Sequence, residues 1–223
     1  MGLNTRNSKV YANILSKDGT IRVRANESEF GGDPTIVKRE YELRDGTTGV
    51  KYERVYNDLD GIIAGVGFFT GDYGKQLHII ISDKNGDEII LSINLQTNYA
   101  EDLMKKLPNI DLSKNVLLNP YSFEVEGKIR KGISVVQDGE KVKSFFHDAK
   151  GKPLNDFPKP EGKTKEYDSE DWKMYFMKTK KFLQKYIEDN IQLDAVKDTK
   201  EILKGKEVTK EDTKEINPKN IPF

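Results

Sequence analysis

Short β-prone runs separated by turn residues occupy most of the chain between about residues 8 and 146. Within these runs apolar and β-branched residues alternate with polar ones, as in strands with one buried face. Asn-Gly and Asp-Gly pairs stand between several runs and supply the positive φ of tight hairpin turns. The pattern predicts mostly antiparallel strands at Val10–Ser16, Gly19–Ala25, Ile36–Leu43, Val50–Tyr56, Gly61–Phe69, Lys75–Ser82, Glu88–Leu95, Tyr121–Gly127, Lys128–Gln137 and Lys141–Phe146.

One helix is predicted among these strands. Thr97 and Asn98 provide an N-cap, and Pro108 ends the segment. Its apolar positions are Tyr99, Leu103, Met104 and Leu107. Many short strands with a single internal helix predict a mainly β fold, and we interpret residues 1–150 as an OB-fold-like antiparallel β-barrel of the oligonucleotide-binding type. A β-sandwich is the alternative, because the number of strands does not separate the two.

The remaining third of the chain divides into three segments. Residues 151–167 are rich in Pro, Gly and Lys and are predicted to form a linker. Residues 168–193 are predicted to form an amphipathic helix, capped by Asp168, with apolar residues at helical spacing and several lysines opposite them. Residues 194–223 are Lys-, Glu-, Asp- and Thr-rich, which predicts a flexible C-terminal tail.

Composition excludes several classes of protein. The 223 residues include 37 Lys and Arg, 37 Asp and Glu, and no Cys, so disulfides, Cys-based zinc sites and thiol nucleophiles are excluded. The longest apolar runs, such as Gly61–Phe69 and Leu77–Ile81, are much shorter than the roughly 20 residues of a membrane span. We therefore expect a soluble, cytoplasmic protein with no membrane partner. Zero net charge means that any anion-binding site must arise from local sorting of charge.

Sequence signals of catalysis are weak. The two histidines, His78 and His147, have no partner at metal-ligand spacing, and His78 is expected to be an ordinary sheet residue. The glycine-rich run at residues 65–74 does not open a helix after a strand, so it does not match a nucleotide-binding fingerprint. We expect no catalytic residues, no bound metal, no cofactor and no enzymatic activity.

Aromatic and cationic residues are interleaved in the β-region, a combination that suits single-stranded nucleic acid. Bases stack on aromatic rings, while cations follow the phosphates. If the strands at residues 35–44 and 50–56 pair, alternation predicts that Arg39 and Tyr41 share a surface with Tyr52, Arg54 and Tyr56. Cross-strand Tyr and Arg pairs also stabilise ordinary sheets, which is the alternative interpretation. The predicted phosphate-binding residues are Arg22, Arg24, Arg39, Arg54, Lys75, Lys128 and Arg130, and the predicted base-stacking residues are Tyr41, Tyr52, Tyr56 and Tyr73.

The chain ends in Ile221, Pro222 and Phe223 after a polar segment. This ending resembles the tip of bacterial single-stranded DNA-binding proteins. In that family an oligonucleotide-binding barrel holds the strand, and the tail recruits replication and repair enzymes. A terminal Phe offers a ring and a carboxylate on one residue, which a partner pocket with a basic rim can bind. The resemblance therefore implies that these three residues bind a partner protein.

Two features differ from the bacterial pattern. Residues 214–220 hold one acid and two lysines instead of an acidic run, and the helix at 168–193 is additional. The layout looks more like a bacteriophage single-stranded DNA-binding protein (SSB), acting in DNA replication, recombination or repair in the host cytoplasm. The alternatives are a viral structural or assembly protein built on a β-sandwich, and an accessory factor or inhibitor that binds protein through a strand edge. Self-association is left open.

Overall fold

The computed structural model describes residues 9–43, 45–71 and 74–191. Within these ranges the chain forms ten strands and two α-helices. The helices are α1 (Asn98–Lys106) and α2 (Ser169–Asn190). The strands are β1 (Val10–Ile14), β2 (Ile21–Ala25), β3 (Ile36–Glu42), β4 (Thr48–Tyr56), β5 (Leu59–Gly71), β6 (Gly74–Ser82), β7 (Glu88–Asn94), β8 (Asn115–Val125), β9 (Lys128–Gln137) and β10 (Glu140–Lys141).

All the strands belong to one sheet, in the order β10-β9-β8-β5-β6-β7-β1-β2-β4-β3. Neighbouring strands are antiparallel except β1 and β7, which are parallel, so the sheet is mixed. The prediction of a mainly β fold is confirmed. In the described part of the chain, β10 and β3 are the two ends of the sheet, and no pairing joins them.

Most strands begin or end within one to two residues of their predicted bounds, and β8 and β10 differ the most. Strand β8 begins at Asn115, well before the predicted Tyr121, although Pro120 lies inside it. Pro120 is tolerated because the pairing of β8 with β5 ends at Leu118, so that β8 pairs only with β9 from there on. Strand β10 is limited to Glu140–Lys141, whereas the predicted strand reached Phe146. Phe146 instead turns into the core and is fully buried.

The core lies between one face of the curved sheet and the two helices. Helix α1 is capped as predicted, since the Thr97 side chain accepts a hydrogen bond from Ala100 N, and its buried face matches the predicted apolar positions. Sheet residues on the core side include Ala12, Leu77, Ile79, Leu91, Ile93, Val116, Leu118, Ile133 and Val135. Burial of this many aliphatic side chains is the main stabilisation of the fold.

The C-terminal helix packs on the same core. Asp168 accepts hydrogen bonds from Glu170 N and Asp171 N and forms a capping box, so α2 begins at Ser169 as the sequence predicts. Leu183 and Ile187 of α2 are buried in the core, and so is Phe157 from the segment predicted to be a linker. The predicted tail at 194–223 lies outside the described residues.

Candidate nucleic-acid interface

Seven neighbouring strands, β5-β6-β7-β1-β2-β4-β3, share a face that points away from the core. Residues paired directly across strands lie on the same face, and His78 pairs with Ser92, Ser92 with Asn13, and Asn13 with Arg22. The residues that alternate with them, such as Ala12 and Leu91, belong to the core. We call this surface the exterior face; its residues include Tyr11, Asn13, Arg22, Arg24, Arg39, Tyr41, Lys51, Glu53, Phe69, Gln76, His78 and Ser92.

Cations are concentrated on the β2-β4-β3 part of the exterior face. Arg39 makes two hydrogen bonds of 2.8 Å to the carboxylate of Glu53, whose exposure is only 8%. These hydrogen bonds hold the pKa of Glu53 below its usual value. Arg22 donates to Asp18 at 2.8 Å. Arg24 is exposed and forms no salt bridge within the described ranges, which leaves its guanidinium available to an anion.

Aromatic rings stand among these cations. Tyr11 is 46% exposed at the middle of the face. The Lys51 ammonium lies 4.4 Å from the centre of the Tyr41 ring, a cation–π contact. Phe69 stacks on His78 with 5.3 Å between ring centres. Burial lowers the pKa of His78, so at neutral pH this pair is an uncharged stacking surface.

The β8-β9 hairpin carries a second cluster of the same chemistry, which we call the hairpin cluster: Tyr121, Phe123, Lys128 and Arg130. Phe123 pairs with Arg130 across the hairpin, and Lys128 pairs with Val125. The rings of Tyr121 and Phe123 are 5.3 Å apart, and Phe123 is 51% exposed. An exposed ring beside a guanidinium offers both a stacking surface and a phosphate ligand.

The loop between β1 and β2 connects the hairpin to the exterior face. Lys131 Nζ donates to Ser16 O at 2.5 Å, and Asp18 of the same loop pairs with Arg22. Gly19 has φ +76°, and a Cβ placed there would lie 2.8 Å from the carbonyl carbon of Tyr121. Only glycine fits this close approach. The hairpin is thereby held against the β1-β2 loop.

The structure separates residues that the sequence placed on one surface. The strands β3 and β4 do pair, but Lys38 lies opposite Tyr52 and Arg39 lies opposite Lys51. The prediction that Arg39 and Tyr41 share a surface with Tyr52, Arg54 and Tyr56 is therefore wrong. A register that differs by one residue exchanges the faces of a strand. The exterior face holds Arg22, Arg24, Arg39 and Tyr41, whereas Tyr52, Arg54 and Tyr56 project on the opposite side.

Tyr52 and Arg54 are engaged by the segment that connects β2 to β3. Tyr52 donates a 2.6 Å hydrogen bond to Glu27, which raises the pKa of its hydroxyl, and its ring lies 5.3 Å from that of Phe30. Arg54 is held by Glu29 at 3.0 Å and by Asp33 at 3.2 Å. These contacts explain both side chains as parts of local structure.

The other predicted residues are scattered. Tyr56 lines a groove of about 1120 Å³ that is mixed in charge: it carries four acids, Asp58, Asp83, Asp87 and Glu88, and three cations, Lys9, Arg24 and Arg54. Lys75 lies over the ring of Phe68, on the face opposite to Phe69. Lys128 and Arg130 belong to the hairpin cluster. Tyr73 and the tip Ile221, Pro222 and Phe223 lie outside the described residues.

Sequence reasoning missed several members of both surfaces. Tyr11 and Asn13 flank the buried Ala12 on β1, so the period-two pattern marked Tyr11 as facing away from the core. Phe69 shares its face of β5 with Gly67, opposite to Phe68. Phe123 stands within a predicted strand beside a hairpin turn. The parallel pairing of β1 with β7, which joins the two halves of the exterior face, left no local signal in the sequence.

The comparisons with known proteins identify no relative: no protein-family model, curated protein or solved structure matches this chain. Over the described ranges, the structure contains no cluster of three or more His, Asp or Glu side chains arranged to hold a metal ion. Within the same residues, neither helix is both long and apolar enough to cross a membrane.

Proposed function

We propose that this protein binds single-stranded DNA without sequence preference, as a non-enzymatic factor in bacteriophage DNA replication, recombination or repair. The observation that carries the proposal is the exterior face, where Arg22, Arg24, Arg39 and Lys51 stand on the same side of the sheet as Tyr11, Tyr41 and Phe69. Aromatic rings stack on bases of any identity, and arginine binds the phosphates between them.

The dimensions of the exterior face suit a flexible single strand of DNA. Six spacings separate β5 from β3, so at about 4.8 Å per spacing the face extends over roughly 29 Å. Phe69 stands near one end of this distance and Tyr41 near the other. A single strand can turn its bases towards separate rings along such a path, whereas the stacked bases of a duplex are not available to them. The proposal therefore includes a preference for single strands.

The hairpin cluster supports a longer path. The β1-β2 loop contacts both the hairpin and Arg22. A DNA strand that leaves the exterior face at Arg22 therefore meets Phe123 and Arg130 next. Strands β2 and β9 are far apart in the sheet order, yet this loop brings them close, so the sheet is strongly curled. This curl supports the further proposal that the sheet is an elaborated barrel of the oligonucleotide-binding type.

A role for the tail belongs to the same proposal. The tripeptide Ile221-Pro222-Phe223 is the part that resembles the partner-binding tip of bacterial single-stranded DNA-binding proteins. We therefore assign replication or recombination proteins as the partners of this tip. Deletion of the three residues should abolish capture of those proteins and leave DNA affinity unchanged.

The proposal is tested by fluorescence anisotropy with labelled oligo-dT and with a duplex of matched length. We expect the logarithm of the binding constant for the single strand to fall linearly with the logarithm of the salt concentration, with a slope of about −0.7 for each phosphate neutralised. Binding to the duplex should be much weaker. Equal affinity for duplex and single strand would contradict the proposal. Absence of binding at low salt would also contradict it, and would favour the assembly-protein alternative.

A further inference from the structure

Strand β3 is one end of the sheet, and within the described ranges it pairs only with β4. Two backbone hydrogen bonds fix the direction of its peptide groups: Val55 N donates to Thr35 O, and Leu43 N donates to Thr47 O. Hydrogen-bonded and non-hydrogen-bonded pairs alternate along an antiparallel ladder, so the odd-numbered residues of β3 bond to β4. The even-numbered residues direct their N–H and C=O groups away from the sheet; they are Ile36, Lys38, Glu40 and Glu42.

These edge groups differ in whether they already have a partner. Ile36 N donates to Asp33 O at 3.1 Å. Over the described ranges, the peptide groups of Lys38, Glu40 and Glu42 have no backbone partner beyond the sheet edge, and all three side chains are exposed. An exposed row of this kind is a template for pairing with another strand. Its charges, one lysine followed by two glutamates, restrict which strand can pair.

We propose that two copies of this chain pair through their β3 edges, antiparallel about a twofold axis at Glu40. In this register Lys38 lies opposite Glu42 of the second copy, and the reverse pair forms on the other side of the axis. Arg39 lies opposite Tyr41 of the second copy, a cation–π combination. Glu40 lies opposite Glu40 of the second copy on the axis, a single like-charge contact that the two Lys38–Glu42 pairs and the two Arg39–Tyr41 contacts oppose. The occupant of the edge is thus a second copy of the chain, selected by these four favourable contacts.

Hydrogen bonding favours this register over its neighbour. About six backbone hydrogen bonds form between the two edges, all from the peptide groups of Lys38, Glu40 and Glu42. A shift of one step in register would place Arg39 opposite Arg39 of the second copy. It would also require the N–H of Ile36, which is already bonded to Asp33. Lysine and glutamate on an edge otherwise prevent pairing with unrelated strands, so the same residues exclude other partners.

The pairing brings two exterior faces together. Even-numbered residues meet even-numbered ones, so the exterior faces of both copies lie on the same side of the joined sheet. Arg39, Tyr41 and Lys51 of each copy then meet at the centre. The joined face would form one continuous binding track for single-stranded DNA, and this part of the proposal rests on the proposed function. The pairing of the two β3 edges does not depend on it.

Sedimentation of the full-length protein without nucleic acid, over a range of concentrations, tests the pairing. We expect a concentration-dependent shift from 25.5 kDa to twice that mass. Lys38→Glu and Glu42→Lys each place like charges opposite one another twice, so each should raise the dimer dissociation constant at least about tenfold. The double variant K38E/E42K restores opposite charges and should restore the dimer. Lys84→Glu, in the exposed β6-β7 turn, is the matched control and should not change it.

Three results would overturn the proposal. These are a 25.5 kDa species at every concentration, a dimer that survives both single charge reversals, and a double variant that stays monomeric although circular dichroism shows it folded. Failure of the DNA-binding proposal is recognised separately. If the dimer responds to the charge reversals but does not bind oligo-dT, the pairing stands and the continuous DNA track is excluded. If the protein is monomeric and binds oligo-dT, the pairing is excluded and the DNA-binding proposal stands.

Discussion

Replacing Arg24 with alanine removes a cation that lies on the exterior face without an acidic partner among the described residues. If Arg24 binds one phosphate, its loss should reduce the log–log salt slope for single-stranded DNA by about 0.7. The same slope predicts a loss of affinity of about eightfold near 50 mM salt and about threefold near 200 mM salt. Because the side chain is exposed and unpaired, the free energy of unfolding should change by less than about 0.5 kcal/mol.

Arg54→Ala is the matched control, because Arg54 projects on the opposite side of the same sheet region and is held by Glu29 and Asp33. Its loss should leave both the affinity and the salt slope unchanged within error. It should instead lower the free energy of unfolding slightly, since a solvent-exposed ion-pair network is broken.

Fluorescence anisotropy at several salt concentrations measures the binding, and urea denaturation measures the stability. We expect Arg24→Ala to affect binding alone and Arg54→Ala to affect stability alone. An equal loss of affinity in both variants would refute the division of the sheet into a binding face and a structural face. An unchanged salt slope in Arg24→Ala would refute the assignment of Arg24 to phosphate.

Three further predictions concern the same surfaces. Phe123→Ala should cost roughly 1–3 kcal/mol of single-strand affinity at constant salt slope, because it removes stacking and no charge; an unchanged dissociation constant would remove the hairpin cluster from the site. Glu53→Gln should release Arg39, raising the affinity for oligo-dT and its salt slope while lowering the free energy of unfolding by about 1 kcal/mol; weaker binding would contradict this. Burial lowers the pKa of His78 below its usual 6.5, so as the pH drops the unfolded chain takes up the proton before the folded chain does. The free energy of unfolding should therefore fall as the pH drops below 6.5. In urea denaturation His78→Gln should make this pH dependence less steep, and an unaltered pH profile would contradict the prediction.

Local signals in the sequence were sufficient to locate most of the elements. The N-caps at Thr97 and Asp168 and the Asn-Gly and Asp-Gly turns act over a few residues, so α1, α2 and most strands could be predicted from the pattern. Strand β8 begins at Asn115, before the predicted start at Tyr121, and runs through Pro120, because a proline is compatible with a strand where neighbouring pairing has ended. That condition depends on β5, which is distant in sequence.

The candidate site could be predicted only in part, since it depends on register and on long-range pairing. Alternation correctly placed Arg39 with Tyr41, and Arg22 with Arg24, because each pair lies on one strand. Whether two strands present these faces on the same side depends on the register, which for β3 and β4 reversed the prediction. Nor could local sequence reveal the acids Glu27, Glu29 and Asp33, which engage Tyr52 and Arg54.

Photocrosslinking to a single strand tests the central claim, that the exterior face and the hairpin cluster bind DNA, most directly. Oligonucleotides carrying iododeoxyuridine crosslink to aromatic side chains that stack on the base, and mass spectrometry identifies the modified residue. We expect adducts at Tyr11, Tyr41, Phe69 or Phe123, which are suppressed by unlabelled oligo-dT. Adducts confined to Tyr52 and Phe30, on the opposite side of the sheet, would contradict the account.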